Sequence, residues 1–144
     1  MILRHNDWRS RMHDNLEVRR RLPFEWGEND CAIFAAKHIQ AMLGDEYDWS
    51  GPFVGTYNSA IGALKTLKGL GFDDLLEFAK SKLALAPHPI FCQRGDIVAI
   101  QAEATGWGLG IVLDSHIGVL GPSGYGYILR SDPSIAAGFK VGYE

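Results

Sequence analysis

Among side chains able to carry nucleophilic or metal chemistry, this chain offers two cysteines and five histidines. Cys31 has the most telling setting. It follows Asn29 and Asp30, both good helix N-caps, and precedes Ile33, Phe34, Ala36, Ile39, Met42 and Leu43 at helical spacing. The spacing predicts a helix whose first turn holds the thiol. Unpaired backbone N–H groups and the positive end of the helix dipole lie there, and both favour a thiolate. The same N–H groups are placed to hold a developing oxyanion. A nucleophile also needs a base within hydrogen-bond reach; without one, a cysteine opening a helix is a small buried residue.

The histidines are unequal as bases. His116 alone follows the Gly95-Asp96 pair into the strand-like half of the chain, so it is the first partner to consider for Cys31. His38 lies two turns beyond Cys31, about 10 Å along a helix axis, which suits a surface or core-edge role. His88 sits between two prolines at the junction of the two halves, and His5 and His13 belong to a solvated amino-terminal segment. Cys92 falls on a buried register and reads as packing. The cysteines and histidines have no ligand spacing, so no metal is expected, and no cofactor either. Gly121-Pro122-Ser123-Gly124-Tyr125-Gly126 lacks the lysine and the following helix of a phosphate loop. Arg94-Gly95-Asp96 is a turn into a strand, and Asp73-Asp74 a helix start.

These residues need elements to position them. At 144 residues the chain is expected to be one domain, 1–144, with 1–23 as an amino-terminal helical extension. Trp8, Met12, Leu16 and Val18 suit a surface helix over 7–21, ended by Pro23, and Gly44-Asp45 closes the cysteine helix. An exposed loop, a helix over 58–68 and a fourth helix capped by Asp73 follow. After Pro87 and Pro89, short apolar runs at 97–100, 108–113, 117–120 and 125–129 have the spacing of an antiparallel meander. The tail is expected to add a helical turn after Pro133 and an edge strand from Phe139. Helices first and strands after them argue an α+β fold. A net charge of -3 argues against a nucleic-acid partner. No apolar run approaches a membrane span or a signal peptide, and two cysteines build no disulfide framework.

The order of these parts resembles the NlpC-type cell-wall peptidases. Trp26-Gly27-Glu28-Asn29-Asp30-Cys31 is similar to that family's approach to its nucleophile. Arg94-Gly95-Asp96-Ile97-Val98-Ala99-Ile100 is similar to its Gly-Asp-Leu-Val-Phe strand, and Gly108-Leu109-Gly110-Ile111-Val112 to its His-Val-Gly-Ile-Tyr strand. The resemblance runs from Trp26 to Leu120. It implies a papain-like fold, with the cysteine helix packed on a carboxy-terminal antiparallel sheet, and hydrolysis of peptidoglycan amide bonds by Cys31. The Trp-Gly-x-Asn-Asp-Cys form, with Gly55-Thr56-Tyr57, resembles more closely the small relatives encoded in phage and prophage tail modules. That implies a tail-tip setting, with other tail proteins and peptidoglycan peptide as candidate partners, in the virion or in the host cytoplasm before assembly.

One departure bears on activity. Gly108 stands where the family carries its catalytic histidine, and glycine cannot accept a proton. His116 is the substitute, though a strand that starts beside the cysteine helix at Gly108 carries His116 roughly 20 Å or more away. Two readings follow: a cysteine hydrolase with Cys31 and His116 as its catalytic pair, or a structural or adaptor component of a tail tip that has lost its base. A housekeeping protein with a redox-sensing thiol is a third.

Overall fold

The computed structural model describes residues 2–103 and 105–144. Its helices begin where short polar side chains can hold free amides. In α2, Cys31–Leu43, the Asp30 side chain accepts from the amides of Ala32 and Ile33. In α3, Ala60–Gly69, Ser59 accepts from Gly62. In α4, Leu75–Lys82, Asp74 accepts from Glu77, so the cap is one residue later than the expected Asp73. Helix α1, Trp8–Arg19, has no side-chain cap and anchors through buried Trp8 and Met12. The expected exposed loop after α2 instead holds a 3-10 turn, Asp45–Tyr47, then the buried Ser50 and Phe53.

Six strands follow: β1 Ala84–Leu85, β2 Ile97–Ala102, β3 Gly106–Val112, β4 His116–Gly121, β5 Gly124–Leu129 and β6 Ile135–Lys140. They form one antiparallel sheet in the order β1-β6-β2-β3-β4-β5. The meander β2 to β5 matches the sequence expectation; the tail does not. Instead of an edge strand from Phe139, β6 lies inside the sheet between β1 and β2, because Phe139 and Val141 are fully buried against the helices. No helical turn follows Pro133; the Asp132 side chain ties down Ser134 in a turn instead.

The sheet has two apolar faces. Ile97, Ala99, Leu109, Ile111, Leu120 and Phe139 pack against α2, the element buried almost all round. Val98, Val112, Ile117 and Cys92 form a smaller cluster behind. Cys31 packs against the first cluster and Cys92 belongs to the second, and both are free thiols. Among the described residues, no helix is long and apolar enough to cross a membrane.

His38, expected at the surface or the core edge, is 1% exposed. Its Nε2 lies 2.7 Å from the Gly95 carbonyl oxygen, which only accepts, so Nε2 carries a proton. Burial is the main reason its pKa falls from 6.5 to about 4. Stability is therefore full above pH 6.5 and declines as pH drops, since the unfolded chain takes up a proton that the folded one refuses. The expected loss from this group is about 3 kcal/mol by the pH of its folded titration. Urea unfolding near neutrality and near pH 4.5 should show a larger drop for wild type than for His38→Asn; equal drops would refute this account.

Candidate functional site: the Cys31 cleft

Asp30 organises the approach to the thiol. It is 1% exposed and accepts four hydrogen bonds. Oδ1 takes the amides of Ala32 (3.1 Å) and Ile33 (3.0 Å); Oδ2 takes the Gly27 amide (3.0 Å) and the Tyr57 hydroxyl (2.6 Å). Gly27 has φ 82°, and a Cβ there would stand 2.0 Å from the Tyr57 carbonyl oxygen, so only glycine fits. The Gly55 amide donates to the Gly27 carbonyl at 2.8 Å. Asn29 donates from Nδ2 to the carbonyls of Leu22 and Pro23, tying the connection after α1 to the cysteine helix. Trp-Gly-x-Asn-Asp and Gly-x-Tyr are thus two halves of one hydrogen-bonded scaffold. Sequence reading had singled out Cys31, but Tyr57 entered it only through a resemblance.

The thiol opens on a cleft of about 360 Å³ at the end of the sheet where β3 and β4 part. These strands pair only at Ile111↔Gly118 and Val112↔Ile117. Beyond those pairs, Gly108 and Leu109 on one side and Val119, Leu120 and Gly121 on the other line the opening. Phe24 and Trp26, edge-to-face at 4.8 Å, form an outer wall. The cleft is mostly apolar, and Glu103 is the one charged residue among the described residues that line it.

The electrostatics oppose a thiolate. Burial first, and then the charge of Asp30, push the Cys31 thiol up to about 12. The amides of Ala32, Cys31 and Leu109 pull the other way without prevailing. The helix-start argument accounts for the Ala32 and Cys31 amides, not for that of Leu109, and leaves out that the cap which forms the helix also sets a carboxylate beside the sulfur.

The structure does not bring the expected catalytic pair together. His116 opens β4 opposite Leu129, is exposed, and has its Nδ1 3.0 Å from Ser115 Oγ. From Leu109, beside the sulfur, it is four residues along the β3–β4 ladder, about 13 Å. It does not line the cleft, nor does any other described histidine. His88 accepts the Ile90 amide at 3.1 Å and caps a short 3-10 turn. Gly108 does lie in the cleft; a Cβ there would meet Ile100 at 3.5 Å and Ala102 at 3.7 Å, leaving ordinary room that glycine does not use. Among the described residues, no group of three or more His, Cys, Asp or Glu is placed to hold a metal ion.

Iodoacetamide labelling of Cys31, followed by mass spectrometry, should therefore stay slow through neutral pH and climb only in strong alkali. His116→Ala should match wild type. An inflection below about pH 8.5 that His116→Ala displaces would refute this arrangement.

Fold and site define an α+β domain in which a helix-head thiol faces a cleft at the splayed end of an antiparallel sheet. Residues 3–141 match DUF6950, described as a domain of unknown function, and the chain belongs to that family. No curated protein matches it.

Proposed function

We propose that this chain is a non-hydrolytic relative of the NlpC-type peptidases, of papain-like architecture, that serves as a structural or adaptor component of a phage tail tip among other tail proteins. The observation that carries this reading is the cleft, where a helix-head cysteine lies against β3 but no imidazole is among the described residues that line it. Attack on an amide needs a thiolate and a base to make it. Here the thiol is held protonated by burial and by Asp30. The likeness to the family is supported by element order: a cysteine helix, two further helices, the Gly-Asp strand β2, then β3 with its Leu109 amide facing the sulfur.

The hydrolase reading, with Cys31 and His116 as a pair acting on peptidoglycan peptide, keeps one observation in its favour. Beside the Ala32 amide that Asp30 occupies, the amides of Cys31 and Leu109 lie by the sulfur, where an oxyanion could be held.

Incubation with purified peptidoglycan, read as release of free amines, separates the two. No release above that of Cys31→Ala is expected, and release that Cys31→Ala abolishes would overturn the non-hydrolytic reading. Mass spectrometry of purified tail particles, produced with the gene present, should detect the chain; its absence would overturn the tail-component reading.

A further inference from the structure

We propose that the Cys31 cleft is a docking site for an extended peptide carrying an aliphatic side chain beside a positive charge, held without being cut. The inference rests on the non-hydrolytic reading above and adds the chemistry of the partner.

Backbone direction is the first argument. The Val112 amide donates to Asp96 and its carbonyl accepts from Gly95, so Val112 faces β2. Backbone groups alternate along a strand, so Leu109 and Trp107 face β4. The Trp107 carbonyl is taken by Thr105 Oγ1 at 2.8 Å, and the Leu109 amide lies by the sulfur. On β4, the His116 carbonyl accepts from Leu113, so Leu120 faces β3. The ladder between these strands stops at Ile111↔Gly118. The Leu109 carbonyl and both backbone groups of Leu120 therefore point into the cleft with no strand partner. An extended chain satisfies such groups by strand addition.

Walls and charge decide what kind of chain. Phe24, Trp26, Ile100, Val119, Leu120 and Pro122 present apolar surface, and about 360 Å³ falls in the range of small-ligand sites. That suits an aliphatic side chain. Glu103 repels a carboxylate and attracts a cation, and no lysine or arginine is among the described lining residues to receive an acidic peptide. A fatty acid would fit the walls, but it would leave the backbone groups unused and set its carboxylate near Glu103.

The test is amide chemical-shift titration of the whole chain with three probes: acetyl-Lys-Leu-Ala-Lys-amide, acetyl-Glu-Leu-Ala-Glu-amide and decanoate. The basic peptide should shift Leu109, Leu120 and Gly108 saturably, the acidic peptide should bind more weakly, and decanoate should not reproduce the pattern. Glu103→Gln, an exposed substitution that leaves the core intact, should weaken the basic peptide roughly threefold. Val119→Trp, which fills the cleft, should abolish the shifts. No response to the basic peptide, an equal response to decanoate, or indifference to Glu103→Gln would overturn the proposal. Mass analysis of the peptide afterwards separates the two readings. A bound but cleaved peptide sinks the non-hydrolytic reading, while an intact and unbound peptide sinks the docking site.

Discussion

Asp96→Ala is expected to remove about 3–5 kcal/mol of folding stability, a large part of what a domain of this size holds. Asp96 is 0% exposed and accepts four hydrogen bonds from three parts of the chain. Its Oδ1 takes Arg4 Nη2 at 3.0 Å and the Val141 amide at 2.9 Å; its Oδ2 takes the Gln93 amide at 2.8 Å and Lys140 Nζ at 2.6 Å. Removing the carboxylate takes the counter-charge from the Arg4 guanidinium, whose side chain is 4% exposed, and leaves the buried Val141 amide unpaired. Lys140→Met should cost much less, because that side chain is 19% exposed and can reach water. Urea denaturation of both variants checks the order. A loss under about 1 kcal/mol for Asp96→Ala, no larger than a single net hydrogen bond, would mean that the cluster does not hold the termini to the sheet.

The second large effect is expected at Asp30. Asp30→Ala removes an N-cap and orphans the Gly27 amide and Tyr57 hydroxyl as well. A cap is worth about 1 kcal/mol and each further buried orphan about 1–3, so a total of about 3 kcal/mol or more is expected. Asp30→Asn keeps the shape and removes the charge. Because that charge raises the Cys31 pKa, its loss should lower the pKa and speed iodoacetamide labelling in mild alkali. Stability of Asp30→Ala within experimental error of wild type, or a labelling profile unchanged in Asp30→Asn, would contradict the scaffold described for the cleft. Tyr57→Phe provides the internal comparison: it should cost only about 1 kcal/mol, the net worth of one hydrogen bond.

What could be read in advance divides by the range of the interactions. The cysteine helix, its Asp30 cap and its Gly44 stop follow from groups within a few residues of one another, and their positions agree with the structure. The meander from β2 to β5 was legible for the same reason, since turns rich in glycine and aspartate separate short apolar runs. The cap of α4 slipped by one residue because Asp73 and Asp74 are adjacent and chemically alike. At the site, the sequence singled out Cys31 at the head of α2 and Gly108, and both line the cleft. It did not identify the Leu109 amide, Glu103 or the fourfold use of Asp30.

By itself, then, the sequence determined the α+β order and the helix that starts at Cys31. Tertiary structure alone decided that β6 lies inside the sheet, that His38 is buried beneath Gly95, and that Asp96 joins Arg4 to Lys140. It also decided that His116 stays on the far side of the β3–β4 ladder from the thiol. The physical reason is separation along the chain. Arg4 and Asp96 are 92 residues apart, and His38 and Gly95 are 57. Nothing local favours such contacts until the sheet buries its apolar face against α2 and brings them together.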